Sequence, residues 1–132
     1  MTDVPTVPTL TAQEAFDRVA RHLLTMPHQS YDDGFCSYRA PDGNRCAVGC
    51  LIPDDAYVPD LEGVSIGSLV GFPKFAPWKS IVNLLCKLQC VHDDKKYWHE
   101  PFGRTEMRQQ LKIIASDFDL SPHVLDEMES AP

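Results

Sequence analysis

The sequence predicts an α+β domain: three main helices, a short C-terminal fourth, and a small antiparallel β-hairpin packed against them. Three observations predict it. Apolar residues recur in steps of three and four over three separate stretches, and a Pro41-Asp42-Gly43 turn signal divides two arms of strand-like composition. The length of 132 residues, 43% of them hydrophobic, is enough for one core and needs no metal to close it.

Residues 1–10, interrupted by Pro5 and Pro8, read as a flexible arm, and residues 11–130 as a single globular domain. The first helix opens at Thr11-x-x-Glu14, a capping box in which hydroxyl and carboxylate reciprocally accept from backbone N–H groups the first turn leaves unpaired. Leu10 is placed to add a staple contact. Ala12, Ala15, Phe16, Val19, Leu23 and Met26 then mark one apolar face, so this helix should run from about Ala12 to Thr25 and stop at Pro27.

Phe35 to Arg39 has the aromatic content of a short strand. Ala40-Pro41-Asp42-Gly43-Asn44 is a tight-turn sequence: Pro presets the backbone, Asp bonds its own chain and Gly accepts a positive φ. The returning arm, Arg45 to Ile52, completes the expected hairpin over Phe35–Leu51, with Gly49 as a point where it can bend and Pro53 as its stop. Residues 53–77 are rich in Pro and Gly, which opposes a long regular element. Leu61, Val64, Ile66, Leu69 and Val70 make the segment too apolar for a solvated linker, so it should cover the core with one short helical turn.

Trp78 to about His92 reads as the central helix, because Ile81, Val82, Leu85, Leu88 and Val91, with Cys86 and Cys90, make it apolar around most of its circumference. A further helix is predicted from about Arg104 to Phe118 on Met107, Leu111, Ile114 and Phe118. Ser121-Pro122 supplies an N-cap and a helix-compatible first residue for a last short helix, Pro122 to Glu129.

Charge narrows the function. Nineteen acidic against twelve basic residues leave a net charge of −7, which opposes binding to nucleic-acid backbones or anionic membranes. No apolar run approaches the roughly 20 residues of a membrane span. The opening MTDVPTVPTL lacks the basic and apolar regions of a secretion signal, so the expected location is cytoplasmic. There, five cysteines, an odd number, read as free thiols or metal ligands rather than disulfides.

Cys46-x3-Cys50 and Cys86-x3-Cys90 are two pairs of equal spacing, and four thiolates brought together would suit a structural zinc. Both pairs lie in apolar runs, however, where free cysteine behaves as a small core hydrophobe. Cys36 and Cys50 are the candidates for a reactive thiol, with His28, His92 or His99 as the base it would need, but no Cys-x-x-Cys signature accompanies them. Asp32-Asp33, Asp54-Asp55, Asp60/Glu62 and Asp93-Asp94 read first as turn formers and solvated charge, without an EF-hand pattern, and second as a face for a basic partner. His92 sits where a helix C-terminus favours it, with Asp93 able to set its tautomer. Tyr97-Trp98-His99-Glu100-Pro101-Phe102 reads as aromatic packing between helices.

The run CSYRAPDGNRCAVGCLIPDDAYVPDLEG, together with LLCKLQCVHDDKKYW and LKIIASDFDL, resembles a group of small bacterial and phage proteins sharing a Cys-Ala-[Val/Ile]-Gly-Cys-Leu-Ile-Pro-Asp core. The likeness covers most of residues 22–120 and is most specific at Cys46–Asp54. It implies no catalytic or binding residues, and a phage-linked distribution favours an interaction or inhibitor role.

The expected function is accordingly a non-enzymatic protein-interaction module or inhibitor, a monomer or weak dimer without cofactor, and with no catalytic residue assigned. Its contacts to a protein partner would be Pro41, Asp42, Asn44, Arg45, Asp54 and Asp55. The alternative is a small zinc- or thiol-dependent protein using Cys46, Cys50, Cys86 and Cys90. Native mass spectrometry of protein purified without added metal or chelator separates them: the interaction reading predicts the mass of the bare chain, the alternative one extra zinc that leaves on denaturation.

Overall fold

The computed structural model describes residues 6–26, 28–32, 35–99 and 101–130. The expected helix stop at Pro27, residues 1–5 of the expected arm, Asp33 and the side chains of Asp32 and Cys36 lie outside them.

The first helix, α1, spans Ala12–Thr25 behind the capping box: Glu14 N–H donates to the Thr11 hydroxyl and Thr11 N–H to the Glu14 carboxylate, each at 3.0 Å. Phe16, Val19 and Leu23 are fully buried. The chain before α1 is not a free arm throughout, because Val7 and Leu10 are buried, Val7 N–H donates to the Lys74 carbonyl and the Trp78 indole N–H to that of Pro8.

The fold is helical, and this corrects the α+β expectation: the Phe35–Leu51 hairpin does not form. Two-residue segments, Tyr31–Asp32 and Phe35–Cys36, pair antiparallel, and Arg39 and Arg45 make one isolated bridge. Neither amounts to a layer. The turn itself is present, with Gly43 at φ +92° and the Asn44 N–H donating to the Asp42 carboxylate at 3.0 Å. The return arm then coils. Cys50 N–H donates to the Cys46 carbonyl at 3.0 Å and Leu51 N–H to that of Val48 at 2.9 Å, leading into a 3-10 turn at Gly49–Leu51.

Two physical causes replace ladder by coil. The backbone donors that Tyr38 and Arg39 would offer a neighbouring strand go instead to the Glu62 carboxylate, at 2.8 and 3.1 Å. Gly49 also lies so close under Tyr38 that an added Cβ would stand 2.0 Å from the Tyr38 carbonyl oxygen. The missing side chain lets the coil close there.

Residues 53–77 cover the core through short turns at Asp54–Ala56 and Pro59–Leu61 and one brief helix, α2, Ile66–Leu69. Leu61, Ile66, Leu69 and Val70 are buried beneath them. The central helix starts later than its apolar pattern predicts. Pro73–Ile81 is a 3-10 run containing Pro77, and only from Val82 does α3, Val82–Asp93, become α-helical. Pro77 has no N–H to donate and its ring opposes the carbonyl four residues back, so the wider helix forms only beyond it.

The α4 helix spans Gly103–Asp117, and α5 spans His123–Ser130. Gln13 fastens α5 to α1 by donating to the Ser121 carbonyl at 2.9 Å and accepting from the Ser121 N–H at 2.8 Å. The core lies where α1, α3 and α4 meet, around Phe16, Trp78, Leu85, Leu88, Met107 and Leu111. No helix among the described residues is long and apolar enough to cross a membrane.

Two glycines make the packing account testable. At Gly67 on α2 an added Cβ meets nothing within 4 Å. Gly49→Ala should lower the unfolding free energy by about 2 kcal/mol or more through forced backbone displacement, whereas Gly67→Ala should be neutral or raise it by up to about 1 kcal/mol. Urea denaturation of both variants checks this.

Candidate functional site

Of the interaction candidates, Pro41, Asp42, Asp54 and Asp55 are exposed and Asn44 and Arg45 half-buried, and most of their polar groups are engaged by the chain itself. Pro41 and Asp42 form the exposed turn. Ala40 N–H donates to the Asn44 carbonyl and Gly43 N–H to that of Ala40, at 2.8 and 3.0 Å. His28 lies 3.4 Å from the Asp42 carboxylate and 2.9 Å from the Asn44 side-chain amide. Behind the turn, the Ser30 hydroxyl donates to the Ser37 carbonyl.

Asp54 is not a solitary acid. Arg39 reaches its carboxylate at 2.8 Å and Arg45 at 3.3 Å, while Arg39 also donates to the Ile52 carbonyl and lies 4.5 Å over the Tyr57 ring. The Tyr57 hydroxyl donates to Glu62 at 2.6 Å, and burial together with that carboxylate pushes the phenol up to about 12. Asp55 is exposed beside this network.

The four described thiols do not form one donor set. Cys46, Cys86 and Cys90 line a groove of about 430 Å3 between α3 and Gly63–Gly67, whereas Cys50 opens onto shallow clefts beside Arg18, Arg21 and His22 of α1. Among the described residues no three His, Cys, Asp or Glu side chains converge as metal ligands would. The zinc set suggested by the equal spacing of the pairs does not fit this arrangement, because the second cysteine of the first pair faces away from the other three.

Burial raises the thiols. Cys46, almost fully enclosed, is pushed far above the ordinary cysteine range, although its sulfur accepts from the Gly49 N–H at 3.3 Å. Burial pushes Cys50 up to about 12 against the partial opposition of Arg18 and Arg45. Cys86 is also raised, first by burial and then by Cys90. Cys90 itself is exposed, so the expectation of core cysteines is met fully only at Cys46.

His92 does more than cap α3. It is fully buried; its Nε2 accepts from the Ser30 N–H at 3.1 Å, which leaves Nδ1 to donate to the Asp93 carboxylate at 2.9 Å and fixes a neutral tautomer. Its carbonyl accepts from the Trp98 indole at 2.8 Å and the Gln29 side chain at 2.7 Å. Of the aromatic cluster, Tyr97 is buried, Trp98 stacks under Arg104 at 4.1 Å, and Phe102 remains 69% exposed. His99 is exposed at the end of the same cluster.

Sequence reasoning passed over Gln89 and treated Glu62 only as one acid of a turn. Gln89 accepts from the Val48 N–H at 3.1 Å and donates to Asp93 at 2.9 Å, joining α3 to the Cys46–Cys50 coil. An amide set between Leu88 and Cys90 on an otherwise apolar stretch of α3 was the available signal. Glu62 carries no comparable mark, since acids in turns are ordinary.

No family model, curated protein or solved structure matches this chain.

His22 generates a pH prediction. Burial lowers its pKa despite a 2.6 Å hydrogen bond to the Arg45 carbonyl. The unfolded chain therefore takes up this proton first as pH falls: the contribution of His22 to stability is full above about 6.5 and is lost below it. Between pH 7.5 and 5.5 the unfolding free energy should fall less steeply in His22→Gln than in the parent protein, as urea titrations at the two pH values would measure.

Proposed function

We propose that this chain is a small protein-interaction module or inhibitor that acts through the face formed by the Ala40–Arg45 turn and Asp54–Asp55. The observation that carries this reading is preorganisation. The exposed turn is held by its own backbone bonds, by His28 and by the Asp42 carboxylate, so little freedom remains to be lost when a partner docks. Asp42 and Asp55 on this face, in a chain of net charge −7, suit a partner that presents a basic patch.

Three of the thiols, Cys46, Cys50 and Cys86, lend little to the thiol-dependent alternative. Nucleophilic cysteine needs a populated thiolate, and Cys46, Cys50 and Cys86 are all shifted towards the protonated form. The resemblance of the Cys46–Asp54 motif to small bacterial and phage proteins is compatible with an inhibitor role.

A photo-crosslinking residue at Pro41 tests the assignment against one at Ser116, an exposed position on α4. In lysate of the producing cell, the Pro41 probe should capture one discrete protein that the Ser116 probe does not, and Asp42→Lys combined with Asp55→Lys should abolish the capture. Equal capture from both positions, or capture indifferent to the charge reversal, would contradict this face.

A further inference from the structure

The groove beside α3 has a chemistry that the interaction face does not use. Its volume of about 430 Å3 falls within the roughly 300–1,000 Å3 range of small-molecule clefts. Val64, Ile66, Cys46 and Cys86 give it apolar walls. Among the described residues, Asp93 is the one charged residue on its lining, with no Lys or Arg there. Cys90 and Asp93 belong to the last turn of α3, with Gln89 just before it, where the helix dipole adds negative potential. The Asp93 carboxylate is held in place by His92 Nδ1 and the Gln89 amide, both at 2.9 Å. The floor is rigid as well, because Cys46 lies in the coil that Gln89 ties to α3.

We propose that this groove binds a small organic cation, an apolar body carrying one ammonium group directed towards Asp93. An anion would meet the Asp93 charge and the C-terminal end of α3 on a lining where the described residues include no Lys or Arg. A neutral compound would gain the apolar walls alone. A hard metal ion would find one carboxylate, too few oxygen ligands for calcium or magnesium.

Three probes of one shape separate these cases: 2-phenylethylamine, 2-phenylethanol and 3-phenylpropanoate, titrated at pH 7 into the full, 15N-labelled chain. The amine should shift the amide resonances of residues 63–67 and 86–93 and bind roughly tenfold more tightly than the alcohol, with the carboxylate weakest. Asp93→Asn keeps the oxygen that accepts from His92 and Gln89 and should bring the amine down to the level of the alcohol. Asp94→Asn removes an equal charge from a residue off the groove lining and should leave the amine affinity unchanged, which separates a local contact from the general field of an acidic chain.

Gly67→Leu supplies a steric test. Gly67 lines the groove, its added Cβ meets nothing within 4 Å, and the larger side chain should block amine and alcohol alike. A well-dispersed spectrum establishes that each variant is folded, and the Asp93/Asp94 pair decides the charge question even where Gly67→Leu is not. Three results would overturn the proposal: equal affinity for the three probes, including no binding of any; shifts mapping away from the groove; or Asp93→Asn and Asp94→Asn acting alike.

Discussion

The approach of Gly49 to the carbonyl of Tyr38 is the contact around which the middle of this protein is arranged. A side chain at position 49 would occupy the space of that oxygen. Because none is present, the chain coils at once after the Ala40–Arg45 turn instead of extending. The coil sends Cys46, Val48 and Leu51 into the core and leaves Cys50 half-buried on the side of α1. Extended, the same residues would alternate between two faces and would need a neighbouring strand for their backbone groups.

Polar side chains complete what the coil begins. Glu62 takes the donors of Tyr38 and Arg39, Gln89 takes that of Val48, and His92 takes that of Ser30. Buried backbone groups rarely go unpaired. Here much of the pairing comes from side chains far along the sequence, where a sheet would have supplied it from backbone. The result is a segment fixed from three sides. It presents a preorganised turn outward while its other flank forms the wall of the groove beside α3, so the two proposed binding surfaces share one support.

Much of the helical framework was legible in the sequence. The Thr11–Glu14 box and the apolar spacing behind it gave α1 its span, and Met107, Leu111 and Ile114 marked α4. The start of α3 was obscured by Trp78 and Ile81, whose apolar character continues the pattern through a 3-10 run that Pro77 imposes. The hairpin failed for a different reason. Its turn chemistry was read correctly, but whether the flanking arms pair depends on Glu62 and on a close approach at Gly49, and neither is a local property of the arms. The thiol pairs show the same limit: equal spacing in sequence says nothing about orientation, and the coil turns Cys50 away from the face shared by Cys46, Cys86 and Cys90. The candidate site was visible only as a cluster of cysteines and acids, since the groove arises from the packing of residues 63–67 across α3.

The measurement closest to the central claim is the pattern of nuclear Overhauser effects over residues 38–52 in solution. The account predicts sequential amide–amide contacts from Ala47 to Leu51, a contact between the Gly49 α-protons and the Tyr38 backbone, and, beyond the single Arg39–Arg45 pair, none of the cross-strand α-proton contacts of a paired arm. Strong cross-strand contacts running from Phe35–Arg39 to Cys46–Leu51, with extended-type shifts at Val48 and Gly49, would contradict it.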